Sequence, residues 1–283
     1  MQGRRPLPGW GWAALVLLGA SWALAWTRIT WFEPLQAHTF TPLWLGYIGV
    51  VNALTVRRKG SSIFTRQPAR FALLFPSSAL FWWFFEYLNR FVGNWHYVGI
   101  SDFSPLEYAL FASVSFSTVL PAVVSTAEWL GTFPRLHDAF NRWRPIHLAH
   151  PKAVAALVLI ATTLSLAGLA VFPQLLYPLV WISPALVIVS LQAFGERSTV
   201  FAPLKHGDWH ELVCYAAGAL VCGFFWEMWN YGSLAHWEYA VPYVGGFRIF
   251  EMPLLGYAGY LPFGIECAVI ASLVLGEAAT SNS

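Results

Sequence analysis

The chain has 283 residues, of which 57% are hydrophobic and only 11% are charged. Soluble domains carry about 25% charged residues, so this composition excludes a soluble globular protein and predicts a polytopic membrane protein. The formal net charge of +2 gives no indication of a nucleic-acid partner. Cys214, Cys222 and Cys267 lie in apolar segments without Cys-x-x-Cys spacing, which predicts neither a disulfide framework nor a zinc site.

Four apolar segments in the first half of the chain have the length that a bilayer requires. They cover residues 11–26, 39–56, 71–88 and 105–130, with Pro76 and Pro121 inside the third and fourth. The first segment can also be read as a signal peptide cleaved after Ala25, but Trp22 and Trp26 crowd that position. A retained helix is therefore the favoured interpretation.

A polar, basic connector at residues 132–152 separates these segments from four more, at 153–172, 175–191, 211–230 and 249–275. The sequence thus predicts an all-α membrane bundle of about eight transmembrane helices. The boundary in the connector divides it into a first repeat, residues 1–140, and a second repeat, residues 141–283.

The positions of the basic residues predict the orientation, because Lys and Arg collect in cytoplasmic loops. With the N-terminus inside, the chain has only Arg28, Arg90 and Arg248 on the outer side. The thirteen inner residues are Arg4, Arg5, Arg57, Arg58, Lys59, Arg66, Arg70, Arg135, Arg142, Arg144, Lys152, Arg197 and Lys205. We therefore predict a multi-pass protein of the cell (inner) membrane with both termini cytoplasmic and the loops 89–104 and 231–248 outside.

The end of the third span and the end of the seventh contain similar sequences. The first copy reads WWFFEYLNRFVGNWHYVG, and the second reads GFFWEMWNYGSLAHWEYAV. Glu86 matches Glu227 and Asn89 matches Asn230, and after a one-residue insertion Trp95 matches Trp237 and Tyr97 matches Tyr239. Further on, Glu107 finds its counterpart in Glu251, and Pro121 corresponds loosely to Pro262. Because each copy joins helices of the same orientation, we predict two parallel four-helix repeats related by an axis along the membrane normal.

The Glu-x-x-Asn pattern places Glu86 with Asn89, and Glu227 with Asn230, on one helical face. One interpretation is that these residues cap helix ends at the water interface. The other is that they line a cavity between the halves, because a carboxylate within the membrane costs roughly 2.5 to 3.5 kcal/mol and usually faces a cavity or a partner. Clustered carboxyl groups of this kind suit general acid catalysis.

Four further acidic residues lie in the fourth and eighth predicted spans. Glu107 and Glu251 open the fourth and eighth predicted spans, where an acid also stabilises a helix N-terminus, so a capping role stays open. Glu266 lies in the middle of the last span beside Pro262 and Gly264, which favours a position inside a cavity. Glu128 is predicted to lie at the membrane interface.

Aromatic residues are dense around these acids. Trp83 lies three residues before Glu86, and Trp226 lies directly before Glu227. Core packing explains such density, and so does a wall that stabilises a cationic intermediate and excludes water. Acids that start a carbocation, a base that ends it and aromatic walls are the components of an isoprenoid cyclase.

No cofactor is predicted. Gly245-Gly246 lacks the context of a dinucleotide fingerprint, and the eight histidines form no facing pair of haem ligands. A metal held by Glu86, Glu227, His96 and His236 has no supporting ligand motif, so we predict no metal.

At these residues the chain resembles the heterodimer-type and fused lycopene cyclases, small membrane proteins of two homologous halves. Their halves carry an acid and Asn at a helix end, a Trp-x-Tyr element and a Pro-x-Glu-Glu motif. The last motif is incomplete here, as Pro105-Leu106-Glu107 in one half and Glu251-Met252-Pro253 in the other. The resemblance implies a membrane enzyme that protonates an isoprenoid double bond.

In that hypothesis Glu107 and Glu251 form the acid and base pair, and Glu86 and Glu227 orient them through Asn89 and Asn230. The substrate-binding set is Asn89, Asn230, Trp95, Trp237, Tyr97, Tyr239, Trp83, Trp226 and Glu266. Two alternatives stay open. One is a proton-coupled transporter, favoured by the Gly and Pro residues that interrupt the last span, and the other is a non-catalytic protein that binds lipid or quinone.

Overall fold

The computed structural model describes residues 5–276, so Arg4 and residues 277–283, which the sequence assigns to the two repeats, lie outside the described residues. Helices dominate. The α-helices are α1 Gly9–Trp26, α2 Phe40–Lys59, α3 Ile63–Arg66, α4 Pro68–Val92, α5 Pro105–Phe116, α6 Val119–Gly131, α7 Pro134–Phe140, α8 Pro151–Gly168, α9 Pro173–Leu176, α10 Ser183–Phe194, α11 His210–Gly232 and α12 Tyr260–Leu275. Four 3-10 helices accompany them, at Thr30–His38, Tyr177–Trp181, Ala202–His206 and Leu254–Gly259.

Six helical segments are long and apolar enough to cross a membrane, and the number rises to eight if each of two bent helix pairs is one span. The bent pairs are Thr30–His38 with Phe40–Lys59, at 71°, and Pro173–Trp181 with Ser183–Phe194, at 56°. The prediction of a multi-pass helical membrane protein is confirmed at this level. The count of eight stays a prediction.

Local sequence signals set several helix ends. Pro68, Pro105 and Pro151 occupy the first helical positions of α4, α5 and α8, where a missing N–H costs nothing. Gly60 and Gly93 follow α2 and α4 in the left-handed conformation, which glycine adopts without steric cost.

Two predicted spans differ from their sequence boundaries. The fourth is broken between Phe116 and Val119, because Pro121 cannot donate to the carbonyl four residues earlier. The eighth does not begin at residue 249, since its helical part starts at Leu254. Residues before it form a hairpin of β3, Arg248–Ile249, and β4, Met252–Pro253, and Glu251 lies in its turn rather than at a helix N-terminus.

The long helices, and the short strand after α4 or α11, follow a similar order in the two halves of the described chain, although α3, α7, β3 and β4 have no counterparts. Each half begins with a straight helix, α1 or α8, continues with a bent pair that ends in α2 or α10, and follows with a long helix, α4 or α11. A short strand comes next, and an interrupted segment ends the half, as α5 with α6 or as the 3-10 helix Leu254–Gly259 with α12. Helix contacts follow the same scheme, since α1 packs on α2, α8 on α10, α4 on α6 and α11 on α12.

Contacts between the halves are made by α6 with α11 and by α4 with α12. A two-stranded antiparallel sheet adds to them, formed by β1, Trp95–Val98, in one half and β2, His236–Tyr239, in the other. The all-α prediction did not include these strands, although the alternation Trp-x-Tyr has the period of a strand. The sheet joins the two halves at the end of the bundle where α4 and α11 terminate.

The opposite end carries most of the basic residues. Glu128 there accepts from Arg66 at 2.7 Å and pairs with Lys59 at 3.5 Å, which agrees with the predicted interfacial position. Near the same end α1 packs closely on α2, with Gly11 facing Ala53. Small residues allow such close approach between membrane helices, and residues 9–26 are thereby an integrated part of the bundle.

Candidate functional site

Glu86 lies near the C-terminal end of α4 and is half-buried. Its Oε1 atom accepts three hydrogen bonds from aromatic side chains: from the Tyr97 hydroxyl at 2.6 Å and from the indole N–H groups of Trp82 and Trp95, each at 3.0 Å. Two donors come from the strand segment and one from the preceding turn of α4. The carboxyl group therefore connects the helix end to strand β1.

Glu227 occupies the matching position of α11, and its exposed fraction is 0%. Its Oε1 atom accepts from the hydroxyls of Tyr239 at 2.7 Å and Tyr260 at 2.6 Å, while its buried Oε2 atom has no hydrogen-bond partner. Trp237 donates its indole N–H to the Tyr239 hydroxyl, at 2.7 Å, instead of to the carboxyl group. No Lys or Arg of residues 5–276 forms an ion pair with this carboxyl group.

Asn89 and Asn230 hold the two strands against their helices in the same way. The side-chain amide of Asn89 donates to the Trp95 carbonyl, and that of Asn230 donates to the Trp237 carbonyl, each at 2.7 Å. In return, Asn89 Oδ1 accepts from the Trp95 amide at 3.3 Å, and Asn230 Oδ1 accepts from the Trp237 amide at 2.7 Å. Each Asn side chain therefore provides hydrogen-bond partners for the backbone N–H and C=O groups of one strand Trp.

The register of the sheet is symmetric with respect to the sequence match. Trp95 lies opposite Tyr239, and Tyr97 lies opposite Trp237. The central pair is His96 with Glu238, whose side chains approach to 3.3 Å. Each strand thus offers its Trp and its Tyr to the other in the same way, as in an isologous contact between two related subunits, and the unlike pair His96 and Glu238 lies between them.

Two apolar cavities lie on either side of these tyrosines. The first, about 140 Å³, is bounded by α5 and by the segment before α2, and the second, about 310 Å³, is bounded by the segments before α10 and α12. They share a wall of five aromatic side chains: Trp82, Tyr97, Trp237, Tyr239 and Tyr260. Each carboxyl group is thus hydrogen-bonded to tyrosine side chains that line the two adjoining cavities.

The tyrosine hydroxyls of the strands are held in their protonated form. Burial, followed by the neighbouring Glu86 carboxylate, raises the pKa of the Tyr97 hydroxyl well above its ordinary value. Burial and the Glu227 carboxylate raise the pKa of the Tyr239 hydroxyl in the same direction. Both groups are therefore hydrogen-bond donors throughout the physiological pH range.

The structure does not bring Glu107 and Glu251 into these cavities. Glu107 is exposed and forms a capping box at the start of α5, in which its Oε2 accepts from the Ser104 amide at 2.8 Å. Glu251 lies in the turn of the β3–β4 hairpin, 3.9 Å from Arg248. Neither carboxyl group is hydrogen-bonded to Glu86 or Glu227, and the capping interpretation describes the contacts of Glu107.

The remaining predicted residues divide into three groups. Trp95, Trp237, Tyr97, Tyr239 and Trp226 line one or both cavities. Asn89, Asn230 and Trp83 lie behind the walls, where Trp83 donates to the Ser113 hydroxyl at 2.9 Å. Glu266 borders a separate cavity between α4, α10 and α12.

Two residues of the wall were absent from the predicted site. Tyr260 follows Glu227 by 33 positions, so no local pattern connects them. The sequence match does contain a signal. Gly223 occupies the position of Trp82 when the halves are aligned on Glu86 and Glu227, and Val119 occupies that of Tyr260 when they are aligned on Pro121 and Pro262. A Cβ atom on Gly223 would overlap the Tyr260 ring, so the large and small residues exchange places between the halves.

No group of three His, Cys, Asp or Glu side chains within residues 5–276 is arranged to hold a metal ion. The three cysteines are buried and form no disulfide. Comparisons with protein-family models, curated proteins and solved structures found no match. The functional argument therefore rests on the geometry of this site.

Proposed function

We propose that the chain is an integral membrane enzyme that binds an isoprenoid or polyene from the bilayer and isomerises or cyclises it by acid–base chemistry. One observation carries the proposal: hydroxyl groups hydrogen-bonded to the carboxyl groups at two helix ends line two adjoining apolar cavities. A hydrocarbon ligand fits the apolar walls, and a relayed proton supplies the chemistry. The resemblance to the lycopene cyclases points to the same class of reaction.

The proposed step uses Glu227 and Tyr239, or Glu86 and Tyr97 in the other half. In the structure the tyrosine hydroxyl donates to the carboxylate; once the carboxyl group is protonated, the hydroxyl turns its proton toward the cavity. The carboxylic acid then passes its proton to the tyrosine oxygen while the tyrosine proton adds to a substrate double bond. The substrate becomes a carbocation and the acid becomes a carboxylate. After the cation has rearranged or closed a ring, loss of a proton from an adjacent carbon restores the acid, so the reaction is a net isomerisation.

The surroundings suit this chemistry. Glu227 has a free oxygen, Oε2, and no cationic partner that would hold it as a carboxylate. The shared wall is entirely aromatic, and aromatic faces stabilise a nearby cation. Exclusion of water from such a site prevents premature capture of the cation.

The architecture and location belong to the same proposal. The repeated order of elements, the symmetric sheet and the matched Asn contacts support two parallel four-span repeats, with eight spans in total. The distribution of basic residues supports cytoplasmic termini in the cell (inner) membrane and an outer position for the sheet.

The direct test is expression in bacterial hosts that accumulate lycopene or other polyenes, followed by chromatography of the lipid extracts. We expect a new product with the native chain and at least a tenfold loss in Glu86→Gln, Glu227→Gln or the paired Tyr97→Phe, Tyr239→Phe variant. Glu107→Gln and Glu251→Gln are the matched controls and should retain the product. Extracts identical to those of the empty host across all polyenes would overturn the proposal.

A second candidate, a proton-coupled transporter, is favoured by one further observation. The last span of each half is interrupted beside a cavity, between α5 and α6 in one and between the 3-10 helix Leu254–Gly259 and α12 in the other. Interrupted helices at corresponding positions are typical of transporter binding sites. Uptake by proteoliposomes that follows an imposed pH gradient and is lost in Glu227→Gln, without any chemical product, would favour transport.

A further inference from the structure

A third cavity lies apart from the two that adjoin the tyrosines. It has a volume of about 480 Å³, lies between α4, α10 and α12, and shares no lining residue with the other two. Its rim includes Leu80, with an exposed fraction of 74%, and Leu273, at 51%. Leu80 lies in the middle of α4 and Leu273 in the last turn of α12. Exposed leucines on membrane helices contact acyl chains, so this cavity opens sideways into the bilayer.

Among the described residues 5–276, Glu266 is the only ionisable group that lines this apolar cavity. Its exposed fraction is 1%, its Oε1 atom accepts only a long hydrogen bond of 3.4 Å from the Ala185 amide, and its Oε2 atom has no partner. An unsatisfied buried carboxyl oxygen costs about 1 to 3 kcal/mol or more. Acidic groups within a membrane are retained mostly where they bind or transfer something.

The chemistry of the carboxyl group selects the head group of a ligand. An ionised carboxylate only accepts hydrogen bonds, whereas a protonated carboxyl group also donates one. A carbonyl ligand pairs only with the protonated form, and an ammonium ligand is held mainly by the ionised form. A hydroxyl group both donates and accepts, so it satisfies Oε2 in either state.

We propose that this cavity binds a bilayer-soluble alcohol or phenol, with its hydroxyl on Glu266 Oε2 and its apolar chain directed past Leu80 and Leu273 into the lipid. The volume lies within the usual range of ligand sites, about 300 to 1,000 Å³. Ser77, which also lines the cavity, is a second polar side chain in its wall. The site is independent of Glu86 and Glu227 and does not require the activity proposed for them.

The experiment uses the purified full chain in phosphatidylcholine nanodiscs. The probe is a geranylgeraniol analogue that carries a diazirine near the hydroxyl and an alkyne at the other end, and the matched probe lacks the hydroxyl. We expect at least tenfold stronger photolabelling by the hydroxylated probe, within residues 77–84 or 184–188, and competition by excess geranylgeraniol. Equal labelling by the two probes would overturn the proposal, because ordinary contact with lipid labels both.

The variants separate a ligand site from a structural role. Glu266→Leu should reduce labelling at least tenfold, whereas Glu266→Gln, whose amide also donates and accepts, should stay within about threefold of the native chain. If Glu266→Leu is not monodisperse, Leu80→Trp narrows the mouth from an exposed position and should give the same loss. Tyr97→Phe is the control for the other cavities and should leave labelling unchanged. Labelling that is insensitive to both Glu266→Leu and Leu80→Trp would also overturn the proposal.

Discussion

The carboxyl sites of the two halves share a frame, which consists of the Glu, the Asn one turn after it and the strand Tyr. They differ in the other side chains that surround the carboxyl group. In both, an Asn one turn after the Glu binds the backbone of a strand Trp, and the strand Tyr donates to the Glu, at 2.6 Å for Glu86 and 2.7 Å for Glu227. The other donors differ. Glu86 is half-buried and receives two indole N–H groups, whereas Glu227 is fully buried, receives the Tyr260 hydroxyl and keeps one free oxygen.

The difference arises from a compensating exchange of size. Trp82 and Val119 in the first half correspond in sequence to Gly223 and Tyr260 in the second. In each half one large aromatic residue reaches the carboxyl group, Trp82 in the first and Tyr260 in the second. The residue at the position matched to the other half's aromatic side chain is small: Val119 in the first half and Gly223 in the second. The frame is therefore retained while the inner wall changes, and the two cavities, of about 140 and 310 Å³, become different sites.

Among the variants that test the difference between the two carboxyl sites, Glu227→Ala should cause the largest loss in the free energy of unfolding. It leaves the hydroxyls of Tyr239 and Tyr260 without an acceptor in a buried site, at a cost of about 1 to 3 kcal/mol each. We expect a loss of about 2 to 6 kcal/mol in the free energy of unfolding, measured by denaturant titration in detergent micelles. Glu86→Ala, in the more exposed site, should lose less, and an equal or larger loss would contradict the burial argument.

The exchange of size predicts a coupled pair of variants. Gly223→Ala places a Cβ atom into the Tyr260 ring, and overpacking of this kind costs about 1 to 3 kcal/mol. Adding Tyr260→Val, which copies the first half, should recover part of that loss.

A double-mutant cycle measures the coupling between these two positions from thermal unfolding of the single and double variants. Residues in direct contact couple by about 0.5 to 3 kcal/mol. Gly259→Ala, directly before Tyr260, has no heavy atom within 4 Å of the added Cβ and is the control for an added methyl group at a glycine. If the stability losses of the two single variants simply add in the double variant, the exchange of size between positions 223 and 260 does not explain the difference between the two carboxyl sites.

The shared frame predicts equal effects in the two halves. Asn89→Ala and Asn230→Ala each remove a pair of hydrogen bonds to a strand Trp backbone, for which we expect a loss of about 1 to 2 kcal/mol. Amide hydrogen exchange of residues 95–98 and 236–239 should accelerate in both variants, because the strands pair with each other. Acceleration confined to the mutated half would show that the sheet does not couple them.

The smallest effect is expected at the acids outside the cavities. Glu107→Ala removes one partner of a capping box and should cost about 0.5 to 1 kcal/mol. Glu251→Ala removes an ion pair of 3.9 Å with an exposed Arg248, which is worth about 0 to 1 kcal/mol. A loss above about 2 kcal/mol at Glu107, comparable to that at Glu227, would indicate that Glu107 has buried partners in the membrane.

The sequence by itself determined the features that depend on composition and local pattern. Apolar runs of sufficient length predict membrane helices whatever their neighbours, because the bilayer acts on each segment separately. The pair Glu86 and Asn89 matches the pair Glu227 and Asn230 in sequence. This match indicated the two helix ends that carry the candidate site. The predicted interfacial position of Glu128 followed from its place near the inner end of the fourth predicted span.

Only the tertiary structure decided which of these residues meet. The Glu-x-x-Asn pattern did not indicate that each Asn binds a strand, because that contact requires the chain to turn back after the helix. Tyr260 reaches Glu227 only through packing of α12 on α11, and Glu107 and Glu266 were separated from the tyrosine cavities by how their helices pack. Long-range contacts depend on relative positions of helices, which side-chain shape decides, and Gly223 opposite Tyr260 is the clearest case.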